Sequence, residues 1–418
     1  HVLARHEQGA GFMADGYARA TGKVGVAFVI SGPGLCNIMT PMGQAYSDSV
    51  PMLVISSCLD DSSLEGQLHH MLDQEGAAAS VCEWSATAID YKSALNLIGK
   101  AFKEFSSRRG RPKHIQIPIN SLKSSIGARR PFDHSTDDMP ERKKELRQAA
   151  ALIRNSKTPL FVLGGGAVKV NFEKFLKITN AAVFTTFAGK GIVKPSYPFL
   201  MGPNLHRRGS DGIINKADLL VVIGSELGEA DLWRKNIGHR CQMIRVDIDS
   251  DIFKRNKLGS LNILMKAQEF VSWMEKLLES TKSEAGWLKH EITAAKRKCF
   301  TEACCDYPGI LPVIDCLKKV MPRNAMVFSD MTQMAYLSQE IWDMQISGHW
   351  HHPTGFGALG YAIPAAIGGA IARPGLTTVA ITGDYGFQYT MSEISVAAEL
   401  KLSLPILLWN NCGLKAIE

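Results

Sequence analysis

The phrase Thr382-Gly-Asp-Tyr-Gly-Phe387 limits the fold more than any other stretch of the chain. An apolar strand, Thr377 to Thr382, runs into a turn that carries one carboxylate, Asp384. A helical stretch follows from Met391 to Leu402. A second apolar strand, Leu404 to Trp409, then ends at Asn410-Asn411-Cys412-Gly413. Strand, helix and strand in succession predict a parallel pair, because the crossover returns the chain to its starting edge. Both strand ends then lie on the carboxyl-terminal edge, where open α/β sheets bind ligands. Asp384 and Asn411 can converge there although 27 residues separate them. A carboxylate, an amide oxygen and a backbone carbonyl are hard ligands that suit octahedral Mg²⁺. Glycines beside them let backbone N–H groups approach phosphate oxygens. Taken alone, this stretch also reads as a plain strand–turn–helix with a chance Asn-Asn.

The same grammar fills the chain, so the fold class is α/β with three doubly wound parallel-sheet domains. The first block, residues 1–122, alternates helical patterns with the short apolar runs Val24 to Ile30, Pro51 to Ser57 and His114 to Ile119. Residues 123–140 read as a linker. A second, Rossmann-like block, 141–275, has strands that run into turns at Thr158 to Ala167, Ala217 to Ser225 and Met243 to Asp249. A charged helical linker, 276–305, leads to a third block, 306–418, with a further strand at Ala325 to Ser329. Both ends are expected to be truncated, since residue 1 is His and the chain stops in mid-phrase at Glu418.

Composition narrows the setting. The net charge is +7, but the basic residues are dispersed. Glu141-Arg142-Lys143-Lys144-Glu145 is a solvated helix start, and no nucleic-acid partner is indicated. Nine cysteines with no Cys-x-x-Cys spacing point to a reduced, cytoplasmic compartment. The longest apolar runs are strand-length, far below the roughly 18 residues of a membrane span.

Two further phrases carry chemistry. In Arg5-His-Glu-Gln-Gly-Ala-Gly-Phe-Met-Ala-Asp-Gly-Tyr-Ala-Arg-Ala-Thr-Gly22 a strand ends near Ala4, and Glu7 stands at the entry to a small-residue helix. Ser31-Gly-Pro-Gly34, Asn37 and Asp48-Ser-Val-Pro51 follow. The other phrase is His352-Pro-Thr-Gly-Phe-Gly-Ala-Leu-Gly-Tyr-Ala-Ile-Pro-Ala-Ala366, whose dense glycine permits close backbone approach to a ligand.

Together these phrases resemble the thiamine-diphosphate-dependent enzymes of the acetolactate synthase-like family, over nearly the whole chain. The resemblance implies three domains of the thiamine-diphosphate-binding type: a pyrimidine-binding domain, a central domain and a diphosphate- and Mg²⁺-binding domain. It gives Mg²⁺ the side chains of Asp384 and Asn411 and the carbonyl of Gly413. It gives Glu7 a hydrogen bond to a pyrimidine ring nitrogen, which activates the thiazolium carbon for attack on a 2-oxo acid with loss of CO₂. Pro33, Gly34, Asn37, Gln333, Gly383, Tyr385 and Gly386 fall in cofactor-binding positions. The carbonyl of Gly357 would take the amino group of the pyrimidine, and Leu359 would be the wedge that bends the cofactor. His352 would face the substrate, and His69 and Gln74 lie in the loop that the family places over the thiazolium. A departure is Tyr385, where the family usually has glycine.

Substrate motifs are less specific. Gly224-Ser-Glu-Leu-Gly-Glu-Ala-Asp-Leu-Trp-Arg234 replaces the Phe-Asp-Asp-Arg phrase of the synthases. That segment, Leu68-His69 with Asp73-Gln74, and His352-Pro-Thr-Gly look closer to the 5-guanidino-2-oxopentanoate decarboxylases. The expected activity is decarboxylation of a 2-oxo acid, 2-oxoarginine being the candidate. The alternatives are an acetolactate synthase catalytic subunit and a non-catalytic cofactor-binding remnant. Acids at Glu226, Glu229 and Asp231 could pair a guanidinium, or be solvated turn residues. Gly164-Gly-Gly166 is too weak a signal to assign FAD, and the balance of the sequence is against that cofactor. In this family one chain does not complete a site, so a homodimer or homotetramer is implied.

Overall fold

In the computed structural model the described residues are 1–59, 68–123, 143–255, 260–279 and 286–413. Most of the linker read at 123–140 lies outside them. The chain forms two compact units. One comprises His1–Asp137, Met326–Thr332 and Pro353–Glu418; the other comprises Asp138–Ala325 and Gln333–His352.

The first unit holds two parallel sheets. One orders its strands Gly25–Val29, Met52–Cys58, Lys113–Pro118 and Trp84–Thr87. The other pairs Met326–Ser329 with Thr378–Gly383, and that strand with Ile406–Trp409. Every strand expected from an apolar run is present within two residues, whereas Trp84–Thr87 gave no such signal. The strand expected to end near Ala4 does not form; Val2 and Leu3 are exposed, so no burial holds that segment extended.

Helix Glu7–Thr21 packs on helix Ala362–Ala372 through two reciprocal glycines. A Cβ on Gly16 would lie 1.9 Å from the carbonyl oxygen of Ala365, and one on Gly368 2.0 Å from that of Met13. Only bare backbone allows this approach. Phe12, Tyr361, Ile363 and Phe328 fill the core around it.

The second unit is built on a six-stranded parallel sheet in the order Ser260–Leu264, Gln242–Asp247, Leu219–Ile223, Pro159–Leu163, Ala182–Thr185 and Leu200–Gly202. Both faces are covered. Phe161, Leu163, Val221 and Ile223 enter one core, while Leu160, Val162, Leu220 and Val222 enter the other. That is why its central strands read as unbroken apolar runs. No described helix is long and apolar enough to cross a membrane.

Candidate active site

At the carboxyl edge of the last sheet Gly383 pairs with Trp409. Asp384 and Asn410 thus each stand one residue beyond a paired end, and Asn411 stands next to them. Asp384 opens helix Asp384–Thr390 and is half-buried, its Oδ1 accepting the Tyr385 N–H at 3.1 Å. Asn410 closes its own turn by accepting the Cys412 N–H at 2.9 Å, with Cys412 at φ 57°. The helix therefore begins at the carboxylate itself, not at Met391. The side chains of Asp384 and the half-buried Asn411 and the carbonyl of Gly413 carry hard oxygen donors, the type that Mg²⁺ takes.

The glycine that this turn requires is Gly386, not residue 385. A Cβ on Gly386 would come 2.5 Å from Asp330 Oδ2. Tyr385 is 43% exposed, so its ring costs the turn nothing. Asp330 itself is buried at the end of strand Met326–Ser329. Burial pushes its carboxyl up to about 6, although the N–H groups of Met331 and Gly360 and the Thr382 hydroxyl all donate to it.

Glu7 is half-buried at the start of helix Glu7–Thr21. Its Oε2 accepts the Asn37 amide N–H at 3.0 Å. Its Oε1 lies 3.5 Å from where a side chain on Gly34 would begin. The helix entry is fixed from the far end of the chain. Glu393, wholly buried, accepts the backbone N–H groups of Arg5 at 3.1 Å and His6 at 2.9 Å. Burial pushes the Glu393 carboxyl up against these donors.

The glycine-rich segment is held from below. Gly355 N–H donates to Asp48 Oδ1 at 2.8 Å, and Ala358 N–H to Gln44 Oε1 at 3.3 Å. Asp48 Oδ2 accepts from Arg19 and from Gln44, both at 2.7 Å. The Tyr361 hydroxyl donates to Asp15, which pairs with Arg19 at 2.6 Å. Burial opposes the Arg19 charge, but Asp15, Tyr361 and Asp48 hold it well above its ordinary pKa. Gly357 adopts φ +71° and Leu359 is half-buried.

Residues 68–73 lead into helix Gln74–Ala79. His69 is exposed and stacks on His70, their ring centroids 3.9 Å apart. His70 Nδ1 is 3.3 Å from the Ser31 hydroxyl. The buried Gln74 uses its whole amide internally: Oε1 accepts the Gly32 N–H at 2.6 Å, and Nε2 donates to Ser57 O and Gln116 Oε1. It clamps the turn before Pro33.

Gln333 and His352 belong to the second unit. Gln333 opens helix Gln333–Ile341, and His352 is buried with Tyr336 edge-on at 5.8 Å. Lys190, which gave no sequence signal, caps that helix by donating to the carbonyls of Ser338 and Gln339 at 2.9 and 2.7 Å. Burial holds its ammonium well below the ordinary pKa. Asp231 accepts the Phe187 N–H at 3.0 Å, and Glu229 is exposed. The glycines at 164–166 are explained by packing, since Gly166 N–H donates to Gly224 O at 3.0 Å and a Cβ on Gly164 would lie 2.3 Å from the same oxygen.

Comparison with known proteins agrees along the whole chain. Residues 1–79 match the N-terminal TPP binding domain of thiamine pyrophosphate enzymes, 146–274 their central domain and 330–418 their C-terminal TPP binding domain. The chain is 38% identical to the probable 2-ketoarginine decarboxylase AruI of Pseudomonas aeruginosa, over all of this chain and 76% of that protein. It is 27% identical to the acetolactate synthase large subunit of Porphyra purpurea, over 98% of this chain and 72% of the relative. It is 26% identical to the acetolactate synthase isozyme 1 large subunit of Escherichia coli, over all of this chain and 76% of the relative.

Proposed function

The chain belongs to the thiamine pyrophosphate enzyme family, and on that premise we propose that it releases CO₂ from 5-guanidino-2-oxopentanoate. The substrate rests on the 38% identity to a probable 2-ketoarginine decarboxylase. The observation that supports the chemistry is the pairing of Gly383 with Trp409, which brings Asp384 and Asn410-Asn411 to one sheet edge; Glu7, braced by Asn37, supplies the second carboxylate.

Thiamine diphosphate, when bound, supplies the carbon nucleophile and the electron sink for decarboxylation. The protein's part is binding, orientation and one proton. Asp384, Asn411 and the Gly413 carbonyl would hold Mg²⁺, and the turn through Gly383, Tyr385 and Gly386 would bind the diphosphate. Gln333 serves the same end of the cofactor. Pro33 and Gly34 would border the pyrimidine, the Gly357 carbonyl would accept from its amino group, and Leu359 would lie between the rings. Glu7 exchanges a proton with the pyrimidine ring through Oε1, and Asn37 holds its other oxygen still. His69 faces the substrate, and Gln74 shapes the Gly32 turn. The domain bounds 1–122, 141–275 and 306–418, joined by linkers 123–140 and 276–305, belong to the same proposal. So do the homo-oligomer, in which Glu7 of one subunit meets Asp384 of the next, and the cytoplasmic setting, which nine free thiols support.

The test is CO₂ release from 2-oxoarginine and from pyruvate, with thiamine diphosphate and Mg²⁺ present. Faster release from 2-oxoarginine is expected. Condensation of pyruvate without free aldehyde would instead make the chain an acetolactate synthase, as the synthase relatives allow. Cofactor binding with turnover of neither acid would make it a non-catalytic remnant.

A further inference from the structure

We propose that Asp330 is a positioning residue that sets the two cofactor-gripping turns of the last sheet against each other; this rests on the reading that those turns hold thiamine diphosphate. Asp330 is 1% exposed. Its Oδ1 accepts the N–H of Met331 at 3.0 Å. Its Oδ2 accepts the N–H of Gly360 at 2.9 Å and the hydroxyl of Thr382 at 3.3 Å. Gly360 ends the segment that carries Gly357 and Leu359, and Thr382 lies two residues before Asp384. One oxygen atom therefore ties the segment that bends the cofactor to the turn that holds its diphosphate.

The tie is closed from the other side. Thr390, at the far end of the helix that Asp384 opens, donates its hydroxyl to the Gly360 carbonyl at 2.8 Å. Gly360 sits at φ +80°, so its two hydrogen bonds fix a residue whose backbone would otherwise be among the least restrained. Gly386 completes the arrangement by leaving room for Oδ2. A polar cluster this buried is rigid only while every member is satisfied. Moving Oδ2 shifts both turns together.

The test uses the full chain and measures thiamine diphosphate affinity with Mg²⁺ by calorimetry, the near-ultraviolet circular dichroism of the bound cofactor, and the melting temperature without cofactor. Asp330→Asn keeps the shape but puts a donor where an acceptor is required. Gly386→Ala presses a methyl against Oδ2 and leaves the acceptor intact. Each is expected to weaken binding by about tenfold or more in protein that is folded at the assay temperature, with a diminished dichroism band. Affinity within about twofold of wild type for folded Asp330→Asn would overturn the proposal. If Asp330→Asn does not fold, Thr390→Val decides: it loosens Gly360 without touching the carboxylate, and unchanged affinity there rejects the positioning role. Failure of the wild-type chain to bind the cofactor would reject the cofactor reading instead.

Discussion

Single residues divide here into those that meet a ligand and those that hold them. Glu7→Gln can keep the Asn37 contact only through its single amide oxygen, which leaves an NH2 donor in place of the accepting Oε1. Turnover should fall by about a hundredfold or more while cofactor affinity changes little; stopped CO₂ release with unaltered calorimetry is the expected pair of readings. His114 gives a prediction of another kind. It is buried between the hydroxyls of Ser56 and Ser85, and burial lowers its pKa to about 4. The unfolded chain, with histidine near 6.5, takes up a proton that the folded chain refuses. Stability is therefore complete above about pH 6.5 and falls as pH drops toward 4, by up to roughly 3 kcal/mol. Urea titrations between pH 7.5 and 4.5 should show the slope, and His114→Asn should flatten it. The ligand-facing residues were legible because their chemistry sits in short phrases. Glu393 was not, because its partners Arg5 and His6 lie 388 and 387 residues away. Asp330 reaches Gly360 across 30 and Thr382 across 52. Gln74 was visible, but its hydrogen bonds were not, since Gly32, Ser57 and Gln116 lie 42, 17 and 42 residues away.

Helix Glu7–Thr21 depends on Gly16 and Gly368 as much as on its apolar face. Gly368→Ala meets backbone, which cannot rotate away, and should cost about 1–3 kcal/mol with a clear fall in melting temperature. Gly212, in helix Asp211–Lys216, has nothing within 4 Å of its missing Cβ. Gly212→Ala should leave the melt unchanged or raise stability by up to about 1 kcal/mol. The two substitutions are chemically identical, so the contrast isolates packing from propensity. Strands of five or more residues with both faces buried were legible, as in Leu219–Ile223, whereas the four buried residues Ala182–Thr185 were too short a run. Trp84–Thr87 is half-buried throughout, and Leu200–Gly202 has three residues. Such strands owe their form to a neighbour in the sheet, which a linear pattern does not contain.

For the whole molecule, the proposed sharing of a site between subunits has a direct test. Glu7→Gln and Asp384→Ala chains are each expected to be nearly inactive. Unfolded together and refolded, they should regain about a quarter of wild-type activity, since half the dimers are mixed and each mixed dimer has one intact site. No recovery would put Glu7 and Asp384 of one subunit in the same site. The unit that contains both residues is also interrupted in the chain, by residues 138–325 and again by 333–352. On the ribosome its opening segment must wait for the whole intervening unit to be made, on the order of 10–40 s. Throughout that interval the helix that bears Glu7 lacks both Glu393 and the glycine face of Ala362–Ala372. Its apolar side is then open to nascent-chain chaperones, and the rate of translation sets how long it stays so.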